Sequence, residues 1–269
     1  MPMDGQGPQE TWFARVRPRP EAAVRLFCFP HAGGAASSYF NWPAALDGVD
    51  VLAVQPPGRE GRLAEPPIAD MPTLLERLVA AVQPHLDRRF LFFGHSMGAL
   101  VAFELARELR RLGLPSPARL YVSGRRAPTV PNTETPLHVL PDDQLADELN
   151  RRFGGLPAAI LAEPELMALF LPIIRADLTV LERHAFEPDP VLDLPVTALG
   201  GQDDTRASEG DLAAWRVLTS AGFAVRRFPG GHFYLHDRRD AFLRAFASML
   251  ATDLATDLAV GTTPGGVAP

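Results

Sequence analysis

The chain has one cysteine, Cys28. A disulfide within the chain is therefore impossible, and a cysteine-rich metal site is excluded. Cys28 lies in an apolar strand pattern and reads as a small core hydrophobe. There is no lysine: all 26 basic residues are arginine. With 27 prolines, that bias reads as genomic base composition, and no function is attached to it. Acidic residues outnumber basic ones, for a formal net charge of -6, so no broad nucleic-acid surface is implied. No apolar run approaches the ~18 residues a membrane helix needs. The first 21 residues contain no apolar core of a signal peptide, so a cytoplasmic protein is expected.

What is present is a globular composition, 46% hydrophobic over 269 residues. That length suits one α/β domain carrying an insertion. Short apolar runs occur at 23–29, 49–54, 89–94, 119–124, 195–200 and 223–228. They are apolar on both faces, as buried parallel strands are. Helical patterns at 73–86, 97–112, 208–221 and 236–250 separate them. The alternation predicts an α/β fold: a mostly parallel central sheet flanked by helices, with right-handed crossovers. Residues 1–20 read as a flexible N-terminal segment, with Trp12 and Phe13 able to dock. Residues 21–250 read as the domain, and 251–269 as a frayed helix end and disordered tail.

One interval breaks the rhythm. About 70 residues separate the runs at 119–124 and 195–200, far more than a crossover needs. Within it, 141–185 reads as helical and is apolar on more than one face, with Pro172 expected to kink it. Such an insertion could simply be core, but on the chemical edge of the sheet it is expected to form a helical lid, at about 134–190. Met167, Phe170 and Ile174 are its candidate pocket residues.

The sharpest signal is "FFGHSMGALVAFELA". Gly94-His95-Ser96-Met97-Gly98 fits G-x-S-x-G, with a strand before it and a helix after it. A turn this tight holds the serine in an unfavourable backbone conformation. Glycines two before and two after remove the clashes that side chains would make. Ser96 is then the candidate nucleophile, and it needs a base. Of seven histidines, His232 lies in the glycine-rich loop "FPGGHFYLH" after the last strand pattern; His236, which begins the last helix, is its rival. The orienting carboxylate should leave the preceding strand, where "LGGQDD" offers Asp203, the preferred residue, or its neighbour Asp204. Two donors should hold the oxyanion. One is the N–H of Met97. The other belongs to the loop "FPHAGGAASSYF", with Ala32 first and Gly33 second; His31 could orient this loop or contact substrate.

Taken together, "FCFPHAGGAASSYFNW", "VQPPGREGRL", "FFGHSMGALVAFELA", "LGGQDD" and "FPGGHFYL" resemble the type II thioesterases, free-standing α/β-hydrolases that accompany polyketide synthases and nonribosomal peptide synthetases. The resemblance covers about residues 12–250. It implies nucleophile Ser96, base His232, acid Asp203, oxyanion donors Ala32 and Met97, and a helical lid over the site. It also implies that the substrate is an acyl group on the phosphopantetheine arm of an acyl or peptidyl carrier protein, hydrolysed to remove wrong or stalled units. No cofactor of the enzyme's own is implied, no nucleic acid and no membrane, and a monomer is expected. Arg59 belongs to the resemblance but has no physical role in the sequence. Arg125-Arg126 and Arg151-Arg152 are candidate docking cations for an acidic carrier. A carboxylesterase or lipase acting on free esters or acyl-CoA remains the alternative.

Overall fold

The structure, a computed structural model, describes residues 12–153 and 163–261. Seven strands form one sheet in the order β1-β3-β2-β4-β5-β6-β7. They are β1 (Phe13–Ala14), β2 (Val24–Phe29), β3 (Val49–Val54), β4 (Arg89–His95), β5 (Leu120–Ser123), β6 (Val196–Gly201) and β7 (Phe223–Phe228). All neighbours are parallel except β1, which runs antiparallel to β3. The six expected runs are the six parallel strands. β1 is an addition: two residues are too short to show a period, yet both Trp12 and Phe13 are buried.

Strands β2 to β6 are mostly apolar on both faces because both faces are covered, whereas the edge strand β7 is half-exposed. Along β2, β3 and β4, side chains alternate between two cores, as a period of two requires. Phe27, Phe29, Leu52, Val54, Phe90 and Phe92 join one core. That core is closed by helices α1 (Met71–Val82) and α2 (Met97–Arg111). Leu26, Cys28, Val51, Ala53, Leu91 and Phe93 join the other, closed by Trp42 and by Phe242 and Phe246 of the last helix, α5 (Arg239–Gly261). Cys28 is fully buried there and unbridged. α1 starts where Asp70 caps the N–H of Thr73.

Two expectations change. The pattern at 208–221 yields only a five-residue helix, Glu209–Ala213, and a tighter 3₁₀ continuation to Leu218. α5 runs on to Gly261, into the segment read as a tail; 262–269 and 1–11 lie outside the described residues. The insertion contains α3 (Asp142–Phe153) and α4 (Pro164–Arg183), with Pro172 inside α4. Leu137, Leu145 and Leu149 pack against Leu171, Ile174 and Leu178 of α4, forming a separate small core over the sheet edge.

Candidate active site

Four loops meet at the C-terminal ends of the strands, where a ligand crevice is expected in this topology. Ser96 sits between β4 and α2 with φ 54 and ψ -113, a conformation that costs a non-glycine residue free energy. The flanking glycines are obligatory. A Cβ on Gly94 would lie 2.0 Å from the carbonyl oxygen of Gly98, and one on Gly98 would lie 2.1 Å from that of Phe29. Met97 opens α2, so its N–H has no acceptor within the helix. The positive end of α2 points to the same spot.

His232 is buried, and its Nδ1 is 2.9 Å from Oδ2 of Asp204. Its Nε2 is buried with no partner among the described residues, in the same cavity as Ser96. This corrects the preference for Asp203. Past the end of β6, the backbone N–H of Gln202 donates to Phe228 and that of Asp203 to Gly230, and the Asp203 side chain stays exposed. The chain then turns inward, so Asp204 alone faces the imidazole, its side chain fully buried. Asp204 Oδ1 also accepts the N–H of Arg206 at 2.8 Å. His236, the rival base, is not on the carboxylate; it packs beside His31, ring centroids 5.6 Å apart.

The family-model comparison matches the thioesterase domain over residues 24–250. The chain belongs to the thioesterase family. It is 43% identical over 229 residues to the thioesterase PikA5 of Streptomyces venezuelae, covering 84% of this chain and 81% of that one. It is 41% identical to RedJ, the thioesterase of the prodiginine pathway in Streptomyces coelicolor, whose structure superposes with a TM-score of 0.80 over 86% of this chain and 92% of RedJ. The type II thioesterase BorB of the borrelidin cluster superposes with a TM-score of 0.78 at 38% identity, covering 88% and 95%. The fold is that of the α/β-hydrolase thioesterases, and the protein is a hydrolase of thioesters.

In this thioesterase the first strand loop is held by a group the sequence did not reveal. Arg59 and Asp177, both buried, form a bidentate pair with N–O distances of 2.5 and 2.9 Å. Asp177, on α4, also accepts the N–H of Gly33 at 2.7 Å, while Arg59 donates to the carbonyl of Gly34 at 3.0 Å. Gly33 is thereby removed from the candidate oxyanion donors. The N–H groups of Ala32 and Met97 have no backbone acceptor among the described residues. Arg59 thus ties three parts together: its own loop, the oxyanion loop and the insertion helix.

Three of the four candidate pocket residues belong to the insertion, and none of the four lines the cavity beside Ser96. That cavity, about 250 Å³, is bounded by Leu178, Leu181, Phe153, Arg125, Arg126 and Arg152 among others. Met167 and Phe170 pack into the insertion's own small core. Ile174 rests on the oxyanion loop, so close that a Cβ on Gly33 would be 2.7 Å from its Cγ1. A 20-residue helix spans about 30 Å. Of the apolar residues of α4, Leu178 and Leu181 near its C-terminal end reach the cavity, whereas Leu166 and Leu169 near its start are exposed. His31 points elsewhere, packing on Phe233 and on His95, with centroids 5.0 and 6.1 Å away. Burial, then the charges of His236, His232 and Arg59, push its pKa down to about 3.

His95 was absorbed into the serine motif on sequence, yet it has its own buried chain. Its Nδ1 is 2.9 Å from Ser123 Oγ, which is 2.7 Å from the Tyr234 hydroxyl. Burial and neighbouring His232 hold the His95 pKa well down. His95 is therefore a neutral wall beside the His232 ring, 5.1 Å between centroids.

Proposed function

We propose that this thioesterase hydrolyses acyl groups from the phosphopantetheine arm of carrier proteins in a polyketide or nonribosomal peptide assembly line, acting in trans to clear wrong or stalled units. One observation carries the mechanism: His232 holds Asp204 on one nitrogen and has its other nitrogen unpartnered in the cavity with Ser96. Ser96 Oγ gives its proton to His232 Nε2 and attacks the thioester carbonyl carbon. Asp204 fixes the tautomer with the proton on Nδ1 and stabilises the imidazolium without taking its proton. The N–H groups of Ala32 and Met97 hold the oxyanion. The C–S bond then breaks, and His232 returns the proton to the departing thiol. Water, deprotonated by the same nitrogen, releases the acid from the acyl-enzyme. A thiol, with an ordinary pKa near 8.5, leaves more readily than an alkoxide. The difficult step is therefore activating the serine and the water. The names of the relatives support a role in such an assembly line, since RedJ belongs to the prodiginine biosynthetic pathway and BorB to the borrelidin biosynthetic cluster.

Intact-protein mass spectrometry tests this. Wild type should convert an acylated carrier to its free-thiol form, and Ser96→Ala should slow this by ~10³-fold or more with the fold unchanged. Survival of the acyl-carrier alongside rapid cleavage of free esters would sink the carrier-directed reading and leave an ordinary esterase.

A further inference from the structure

His232 sits in a loop whose own backbone does little to hold it. Gly230, at φ 118, and Gly231 precede it, and glycines leave a chain free to move. Asp204 fixes one ring nitrogen. That contact alone does not set how far the other nitrogen stands from Ser96.

Two residues beyond the base, Tyr234 is anchored. Its ring stacks on Phe228 and meets Phe242 edge-on, with centroids 5.4 Å away in both cases. Its hydroxyl is 2.7 Å from Ser123 Oγ, which is 2.9 Å from Nδ1 of His95, the residue before the nucleophile. Ser123 ends β5 and makes a further bond with its backbone: its carbonyl accepts the N–H of Ser96 at 2.7 Å. One serine therefore joins the nucleophile's backbone, its neighbour's side chain and the base loop. His95, Ser123 and Tyr234 are all fully buried. Burial pushes the Tyr234 hydroxyl pKa up and the His95 pKa down, so the chain is uncharged. The Tyr234 hydroxyl has no other acceptor among the described residues, so it donates to Ser123, and Ser123 donates to His95 Nδ1. Gly124, next to Ser123, leaves room for both imidazoles. A Cβ there would lie 2.6 Å from Cε1 of His95 and 3.4 Å from Cε1 of His232.

We propose that Ser123, Tyr234 and His95 are positioning residues: their hydrogen-bond chain ties the base loop to the nucleophile's backbone and so sets the reach of His232 Nε2 to Ser96. This rests on the reading of His232 as the base. A buried polar network with its bonds made rigidifies what it joins, and proton transfer depends steeply on placement. The chain acts through His232 and touches no reacting atom.

The test centres on Tyr234→Phe, which keeps the ring packing and removes one oxygen. For acyl-pantetheine hydrolysis kcat should fall about tenfold while KM stays within about twofold, and fluorophosphonate labelling of Ser96 should slow by the same factor. Ser123→Ala should do as much, and the double variant should lose no more than either single one, because the chain acts as a unit. His95→Asn, whose amide reaches the place of Nδ1, should keep more activity than His95→Leu. Tyr121→Phe controls for stability. It removes the hydroxyl of another buried tyrosine, one that donates to Asp253 at 2.8 Å and so joins β5 to α5 rather than to the base loop. Its kcat should stay within about twofold of wild type. An unchanged kcat in folded Tyr234→Phe overturns the proposal. So does an equal loss in Tyr121→Phe, which would make the effect one of general stability. His232→Ala, labelled in parallel, separates the two readings. Labelling at the wild-type rate there would remove the base itself. Lost labelling there beside an unaffected Tyr234→Phe would remove only the positioning chain.

Discussion

The strand-end loops and the inserted helices face each other across one cavity, but they are specified differently. Ser96, Asp204 and His232 are placed by local rules. A strained turn needs glycines at fixed spacing, and a strand exit puts its side chains at the sheet edge. The insertion is placed by pairs distant in sequence. Arg59 and Asp177 are 118 residues apart, and nothing near either residue announces the other. Chemistry is thus written in short motifs, whereas the shape of the space above it depends on long-range packing.

The largest expected effect separates adjacent residues within the first region. Asp204→Asn should reduce kcat by ~10³–10⁴-fold through a wrong imidazole tautomer. Asp203→Asn should stay within about twofold, because its side chain is exposed. Steady-state rates for both variants decide it; the reverse ranking would return the acid to Asp203.

The next joins the two regions. Arg59→Ala leaves the Asp177 carboxylate buried beside the Gly33 N–H without its cation, and should cost about 3–5 kcal/mol of stability in denaturant unfolding. The double variant Arg59→Met with Asp177→Leu should recover part of that loss while kcat stays low, because the oxyanion loop has lost its anchor. Recovery of both would reduce the pair to a structural tie.

A smaller effect concerns pH. His31 is neutral when folded, with its pKa near 3, while the unfolded chain protonates it near 6.5. The unfolded state therefore binds more protons between these values, so stability is fully present above about 6.5 and falls as pH drops. His95 acts in the same direction. Chemical unfolding at pH 7.5 and 5 should show this decline, reduced in His31→Phe; an identical slope in both proteins would contradict it.

The smallest effect tests the insertion alone. Met167→Ala should leave acyl-chain preference unchanged, and Leu181→Ala should shift it toward bulkier groups, since only Leu181 borders the cavity. Competition between acyl-pantetheines of graded size reads this out.

The sheet was legible because strands buried on both faces are continuous apolar runs, and the serine corner because steric crowding dictates glycine. The choice between Asp203 and Asp204 was not, because it depends on how the chain leaves β6: the backbone bonds of Gln202 to Phe228 and of Asp203 to Gly230 decide which of the two side chains is buried. The pocket residues were misplaced along α4 because periodicity gives a helix face but not which stretch of it meets the site. Arg59 was visible in a motif without a role, since its partner lies in the insertion.

The most direct test of the assigned machinery is covalent trapping with a fluorophosphonate, followed by intact mass and peptide mapping. A single adduct on Ser96 is predicted, absent in Ser96→Ala, formed far more slowly in Asp204→Asn and at nearly the wild-type rate in Asp203→Asn. An adduct on another residue, or an undiminished rate in Asp204→Asn, would contradict the assignment.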